Sequence, residues 1–446
     1  MRRNPFLNSR LTALAALLAG GLFLPGLAGA QSLQTLYTAA RGYDATYQGA
    51  LATARAAEFR EQQSEALNRP IVTLQAGAST GQADYPYNSG LKNSTSANGA
   101  LNGRLPLFNR ANDATIEQAR RQLDAAKADL SAAEQDLIVR VAQAYFDVLA
   151  AEDALTTART SKKGIVEQLA SAKRNFEVGT ATITDTREAQ ARSDLADATE
   201  LQTENDLRAR RIALDTVVGT PNVRPYQLAT PLPPLALQPA NVEEWVSAAL
   251  AQHPAVLRAQ VALEVAQLET KKARAGDLPT VDAVAGVSSQ DSRGNGVAFT
   301  GRTNSASVGV QLNWTLYNGN LTQNRVGETL ALEDKSQSDL SAAKRGVAQN
   351  TRVAFYNFLT GQAQVRALEA AEASSKLALE ATQLGYKVGV RVNLDVLNSQ
   401  TQLFTTQRDL ARARYNLVVS RLLLLQASGQ LAPADVDVVN RLLVAS

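Results

Sequence analysis

The chain carries one short peptide pattern twice, about half a chain apart. The first copy starts at Phe176, passes through Val178 and Gly179, and ends at Asp185. Residues of the same or similar type recur 210 positions later, at Tyr386, Val388, Gly389 and Asp395. Segment 144–147 has a counterpart at the same offset of 210. Similarity kept in register over this distance indicates an internal duplication, so the two halves must pack as structural equivalents.

The first 30 residues have the features of a cleaved secretory leader. Arginines form a basic start, an apolar run extends from Leu11 to Leu24, and small residues at 28–30 supply a cleavage site. The alternative is a membrane anchor, but the apolar run is short for a span of roughly 20 residues. We therefore predict cleavage before Gln31, which removes three arginines and leaves 42 basic and 42 acidic residues.

Composition argues against several classes of function. A neutral mature chain gives no support for nucleic-acid binding. The chain has no Cys and a single His, so disulfides and thiol chemistry are excluded. His253, which precedes Pro254, is predicted to be structural and not a metal ligand. The sequence also lacks the GxxxxGK[ST] and GxSxG motifs. These absences count against an exported enzyme, and we predict neither a cofactor nor a metal.

Each half, 31–240 and 241–446, is predicted to contain the same elements in the same order. The predicted elements are a helix (33–68 and 242–276), a β-hairpin (71–107 and 280–316) with an inner loop (82–96 and 290–304), a long helix (110–177 and 319–387), a tip turn (176–185 and 386–395) and a return helix (185–218 and 393–428). A Pro-rich run, 221–239, links the halves and cannot be helical.

The long helices are near 68 residues each, which corresponds to about 100 Å. Leu123, Leu130 and Leu137 recur at steps of seven, a spacing typical of coiled-coil contact. The helix before the hairpin and the return helix are each about half as long, so the two match the long helix when stacked end to end. Taken alone, these helices favour a soluble periplasmic coiled-coil adaptor or scaffold.

The hairpins have a pattern that such an adaptor does not need, because apolar and polar residues alternate along their strands. Residues predicted to face lipid are Leu101, Leu105, Val308, Val310 and Leu312, and those predicted to face water are Asn102, Arg104, Gln311 and Asn313. Four strands cannot close a barrel, since small membrane barrels have about eight, and an open edge is not tolerated in lipid. Two chains would supply eight strands and three would supply twelve, and strand counting leaves that choice open.

With these features, essentially the whole mature chain resembles the TolC-like outer-membrane efflux proteins. The resemblance rests on the twofold repeat, the hairpins and the turn motifs Phe176-x-Val178-Gly179 and Tyr386-x-Val388-Gly389. It implies a mainly α-helical homotrimer with a 12-stranded β-barrel in the outer membrane and an α-helical tunnel across the periplasm. It also implies export of small molecules or proteins, together with a periplasmic adaptor and an inner-membrane transporter.

The resemblance further implies a gate at the periplasmic tip. Thr184 and Asp185 match one side of the family's closing links, and Tyr386 and Arg391 match the other side. Asp395 matches an acidic ring at the constriction, whereas Asn398 stands where the best-known members have a second Asp. This departure puts a second charged ring in doubt and implies weaker cation selectivity.

Helix capping offers a simpler explanation for some of these residues. Thr182 and Asp185 fit a capping box at the start of the first return helix. Asn393 followed by Asp395 fits an N-cap with an acidic residue in the first turn of the second. Capping and gating are compatible, so neither interpretation excludes the other.

Three aromatic residues near the strand ends are candidates for contact with the membrane interface. They are Phe108, Trp314 and Tyr317. Aromatic side chains are enriched at that depth because one end of the ring system is apolar and the other tolerates water. Ordinary core packing is the alternative explanation.

Overall fold

The computed structural model describes residues 31–85, 88–233 and 235–444, and the predicted leader lies outside this part. The first half contains α1 (Leu33–Tyr43), α2 (Ala45–Glu65), β1 (Ile71–Tyr85), β2 (Asn88–Phe108), α3 (Arg110–Glu177) and α4 (Ile183–Val218). The remainder contains β3 (Gln227–Leu228), α5 (Val242–Gln252), α6 (Pro254–Arg274), β4 (Thr280–Arg293), β5 (Gly301–Asn313), α7 (Leu321–Lys387), α8 (Asn393–Ala427), α9 (Pro433–Asn440) and β6 (Leu443–Val444).

The helix before each hairpin is broken once, which corrects the prediction of a continuous helix. The breaks fall at Asp44 and His253, whose ψ angles of 115° and 127° are extended. Each side chain caps the helix that follows, with Asp44 Oδ1 accepting from the Tyr47 N–H at 2.8 Å and His253 Nδ1 from the Ala255 N–H at 3.1 Å. At the second break, Pro254 also disfavours helical geometry in the residue before it.

The four long strands form one antiparallel sheet in the order β1-β2-β4-β5. Leu101 lies opposite Leu74 on one neighbouring strand and opposite Val287 on the other, and Val287 lies opposite Ala306. Directly opposed residues point to the same face of a sheet. The predicted alternation therefore places most apolar residues of the four strands on one common face, whereas Ile71 and Val284 lie opposite Arg104 on the other face.

The strands of the first hairpin extend much further than predicted, because most of 82–96 is strand and not loop. Cross-strand hydroxyl pairs, such as Ser79 with Ser96 at 2.9 Å, accompany the ladder there. Both faces are polar in this part, so alternation gave no signal. In the second hairpin the strands continue to Arg293 and resume at Gly301, and β5 ends at Asn313, before the predicted end at 316.

The long helix α3 has the predicted bounds, whereas α7 begins two residues late. The delay arises because Gly319 and Asn320 both have a φ of +66°, outside the helical region. Helices α2 and α4 pack along one side of α3, and α6 and α8 pack between α3 and α7. The shorter helices therefore stack along the long ones as predicted.

The largest hydrophobic cluster lies near the middle of the long helices. Phe146 of α3 stacks on Tyr415 of α8 with ring centroids 5.9 Å apart. Residues of α1 and α9 join this cluster, and β3 of the Pro-rich linker pairs with β6. Sequence reasoning predicted none of α9, β3 and β6. None of the described helices has an apolar stretch long enough to cross a membrane.

Candidate functional site: the two tip turns

The turns between α3 and α4 and between α7 and α8 have the same backbone geometry. Val178 and Val388 each donate their N–H to the carbonyl four residues earlier, at 3.1 Å in both turns. Gly179 and Gly389 follow with φ angles of +78° and +81°. This left-handed conformation closes a helix C-terminus and is strained for residues that have a Cβ. The repeated Val-Gly pair is thus explained by one turn used twice.

The two turns differ in how the return helix begins. Thr182 donates its N–H to Asp185 Oδ2 at 2.9 Å, and its Oγ1 accepts from the Asp185 N–H at 3.2 Å, so α4 starts with the predicted capping box. Helix α8 starts after Val392, which has no side-chain acceptor. Asn393 is the first residue of that helix, which corrects its prediction as the N-cap. The second turn is therefore held by fewer hydrogen bonds than the first.

Within one protomer the predicted closing residues do not all meet. Thr184 is exposed, and Asp185 is engaged in its own capping box. Arg391 Nη1 lies 3.6 Å from Asp395 Oδ2, and the arginine side chain is 62% exposed. The Cγ atom of Arg391 would lie 2.8 Å from a Cβ added at Gly385, so the arginine stem packs against this glycine. In this geometry the Arg391 head stays accessible to a neighbouring molecule.

Two hydrogen bonds at the tip join the halves of the chain and were not predicted. Asn175 Nδ2 donates to the Tyr386 hydroxyl at 2.9 Å, and Arg192 Nη2 donates to Asn398 Oδ1 at 3.1 Å. The position equivalent to Asn175 in the second half is Gly385. A difference between the copies at a turn was the one sequence signal that could have singled out Asn175.

Farther from the tip turns, α3 and α8 are joined by a buried polar contact. The Tyr415 hydroxyl donates to Asp153 Oδ2 at 2.6 Å. Burial raises the pKa of the Asp153 carboxyl, and the tyrosine hydroxyl partly opposes that shift. Burial also raises the pKa of Tyr415, with the charge of Asp153 adding to the effect. This contact fixes α8 to α3 well above the tip.

The three predicted interface aromatics lie where the sheet gives way to the helices. Phe108 ends β2, and its ring lies 5.5 Å from the Arg110 guanidinium carbon. Trp314 follows β5 and donates its Nε1–H to the Asp277 carbonyl at 3.0 Å. Tyr317 is 82% exposed. The exposure of Tyr317 argues against core packing within one protomer.

The sequence and fold match known outer-membrane proteins. The family model described as outer membrane efflux protein matches residues 36–220 and 245–430, one copy in each half. Outer membrane protein TolC of Vibrio cholerae is 31% identical over 414 residues, covering 92% of this chain and 93% of that protein. Alkaline protease secretion protein AprF of Pseudomonas aeruginosa is 32% identical over a match that covers 68% of this chain and 64% of that protein. The solved structure of VceC from Vibrio cholerae has a TM-score of 0.75 at 19% identity, over 89% of this chain and 96% of that one.

The chain therefore belongs to the outer membrane efflux protein family. It is a channel for efflux or secretion, located in the outer membrane with a helical tunnel in the periplasm. Membership in this family selects the channel over the periplasmic coiled-coil adaptor that the helices alone favoured.

Proposed function

We propose that three copies of the mature chain, residues 31–446, join their sheets into a 12-stranded barrel and their helices into one export tunnel. The observation that carries this proposal is the four-stranded sheet with one apolar face. Strands β1 and β5 are its outer strands, and each has a neighbour on one side alone in the described protomer. Unpaired strand edges are not tolerated in lipid, so neighbouring copies pair β5 with β1 until the barrel closes.

In this assembly the apolar face of the sheet meets outer-membrane lipid. Phe108, Trp314 and Tyr317 then lie at the membrane boundary nearer the periplasm. The polar face, with Asn102 and Gln311, lines the water-filled interior. This orientation places each side chain in the medium where its transfer free energy is lower.

The two turns form the periplasmic gate. Asp185 of one protomer pairs with Arg391 of its neighbour, Thr184 lies beside this link, and Tyr386 stays bound to Asn175. The exposure of the Arg391 side chain supports this arrangement. Three Asp395 carboxylates form an acidic ring that favours cations. Asn398 adds no charge to that ring.

The channel acts with a periplasmic adaptor and an inner-membrane transporter, and it conducts without catalysing a reaction. Its cargo consists of small molecules or proteins. The similarity to AprF, whose name refers to secretion of an alkaline protease, supports a protein cargo as one of these classes.

The assembly is tested by measuring the mass of the purified protein in detergent and its conductance in a planar bilayer. We expect a particle of three chains that fractionates with outer membrane and forms discrete channels. A monomer, or a trimer that never conducts under any voltage, would contradict the proposal.

The gate is tested with the double variant Asp185→Ala and Arg391→Ser. A single partly exposed ion pair contributes roughly 0–1 kcal/mol, but three copies act on one aperture, so single-channel conductance should rise. Asp194→Ala with Arg187→Ser, on the same return helix, is the matched charge-removal control. Equal conductance in parent and double variant would exclude this link from the gate.

A further inference from the structure

Buried polar atoms without a hydrogen-bond partner are concentrated near the tip. Among the described residues, five of nine such side-chain atoms belong to the part of α3, α4 and α8 next to the turns. They are Gln168 Oε1, Thr186 Oγ1, both amide atoms of Asn393 and Gln400 Oε1. Buried polar groups are normally paired, so this cluster is a local departure from ordinary packing.

Two of these amides lie on the face of α8 that packs against α3. Asn393, Leu397 and Gln400 are 4%, 1% and 6% exposed, and their spacing places them on one side of the helix. Leu397 belongs to a small cluster with Ile165, Leu169 and Ala172 of α3. A single leucine thus lies between two amides in this interface.

Gln400 occupies a notch in α3 that a glycine creates. A Cβ added at Gly164 would overlap Nε2 of the Gln400 amide. The amide therefore lies directly on the α3 backbone, where the carbonyl groups are already used within the helix. This position explains why Gln400 is buried and why its Oε1 finds no donor.

Assembly cannot supply the missing partners. The unpartnered atoms of Asn393 and Gln400 are covered within a single protomer. A side chain from a neighbouring protomer would have to separate α8 from α3 to reach them. The same separation would admit water, which can satisfy both amides.

Farther from the tip, the contact between α3 and α8 has a different composition. There Tyr415 stacks on Phe146 and donates to Asp153, and Leu417, Val418 and neighbouring residues are buried. About 22 residues of α8 separate Tyr415 from Asn393, a distance of about 33 Å. One end of the α3–α8 contact is therefore well packed, and the other contains unpaired amides.

We propose that the described packing of α8 on α3 is that of the closed tip, and that Asn393 and Gln400 are positioning residues that set how readily the tip opens, because their unpaired amides weaken this packing. The inference rests on the proposed gate at the tip. When the lower part of α8 moves away from α3, both amides gain water and the penalty of burial is relieved. The upper contact at Tyr415 holds the helix during this movement.

The experiment replaces each amide with an apolar side chain of similar size, in Asn393→Leu and Gln400→Met. Each variant should lower the ratio of open to closed channels in a planar bilayer by about fivefold or more, since the closed state no longer buries an unpaired amide. Amide hydrogen exchange over 393–400 in the intact trimer should slow in parallel. Gln402→Met makes the same chemical change at an exposed position and should leave both readouts at parent values.

The reverse variant, Leu397→Asn, adds an amide to the same face and should raise open probability and speed exchange. Exchange over 393–400 that is unchanged or faster in both apolar variants would overturn the inference, even if the parent protein conducts. Slower exchange in a protein that never conducts would support the packing inference and contradict the proposed channel. The two failures are therefore distinguishable.

Discussion

At the scale of single residues, the buried hydrogen bond between Tyr415 and Asp153 makes a contribution to the free energy of unfolding that depends on pH. The folded-state pKa of Asp153 is raised by burial, so its ionised form destabilises the fold at neutral pH. This destabilisation disappears as the pH falls through the folded-state pKa, because the carboxyl becomes protonated. The Tyr415 hydroxyl donates to the carboxylate and reduces the cost while the carboxyl is charged.

Tyr415→Phe should therefore lower the free energy of unfolding by about 1–3 kcal/mol at pH 7 and by less at pH 4.5. Urea unfolding at the two pH values measures both quantities. Tyr356→Phe, at an exposed tyrosine, is the control and should change little at either pH. A loss for Tyr415→Phe that is larger at pH 4.5 than at pH 7 would contradict the pairing described here.

At the scale of elements, the caps of α2 and α6 respond differently to acid. Burial lowers the pKa of His253, whose Nδ1 can accept the Ala255 N–H only while that nitrogen carries no proton. The stability contributed by this cap is present above the unfolded pKa of about 6.5 and is lost as the pH falls toward the folded pKa. His253 lines a cleft that also contains Asp129 and Asp339, which would attract a protonated imidazole, and Arg258, which would repel it.

We expect the protection factors of amides at the start of α6, which are exchange rates corrected for the pH dependence of intrinsic exchange, to fall between pH 7.5 and pH 5.5. Asp44, at the equivalent position before α2, has a pKa that is lowered by Arg140. The protection factors at the start of α2 should therefore stay constant and serve as an internal control. His253→Asn keeps an acceptor that does not titrate, and it should abolish the loss of protection. Persistence of the pH effect in that variant would show that another group is responsible.

The two faces of the sheet should tolerate an added charge differently. Val310 lies on the apolar face and Gln311 on the polar one. A charge on the lipid side costs up to about 2–4 kcal/mol per copy at the membrane midplane, and little on the water side. Val310→Arg should therefore reduce the yield of membrane-inserted protein, whereas Gln311→Arg should insert normally. Equal yields would mean that this part of the sheet does not contact lipid.

Long elements with a strong periodic signal were predicted well from sequence, whereas short local breaks and contacts between distant segments were not. The bounds of α3 have local causes in the structure, since Asn109 caps its start and the Val-Gly turn ends it. The break at Asp44 was missed, because an Asp inside an Ala-rich helical segment is a weak signal until its side chain is seen to cap the next turn. The Asn175–Tyr386 bond joins residues 211 positions apart, and periodicity carries no information about such a pair.

At the scale of the whole molecule, the outer helices of the protomer carry apolar residues that remain uncovered. Near the tip the helices lie in the order α4, α3, α8, α7. Leu201 of α4 is 68% exposed and Leu377 of α7 is 66% exposed. In the proposed ring of three copies, these two sides of neighbouring protomers would meet.

Leu201→Asp should therefore reduce the fraction of trimer without unfolding the protomer. Burying a leucine stabilises a contact by about 1.5–3 kcal/mol, and the change is repeated at three interfaces. Gln202→Asp adds the same charge at the adjacent exposed position and is the control. The measurement is the trimer fraction by mass in detergent, with circular dichroism as the check on folding. A full trimer yield for Leu201→Asp would place the contact between protomers elsewhere.

The unequal caps of the two tip turns show what gene duplication makes possible in a symmetric assembly. In the proposed ring of three copies, a hairpin encoded once and used six times would be loosened at every position by a single change. With two encoded copies, one can keep the Thr182–Asp185 cap while the other replaces the capping residue with Val392. If the proposed gate is correct, substitutions in the second turn can alter opening without changing the cap of the first, although the two turns share one backbone geometry.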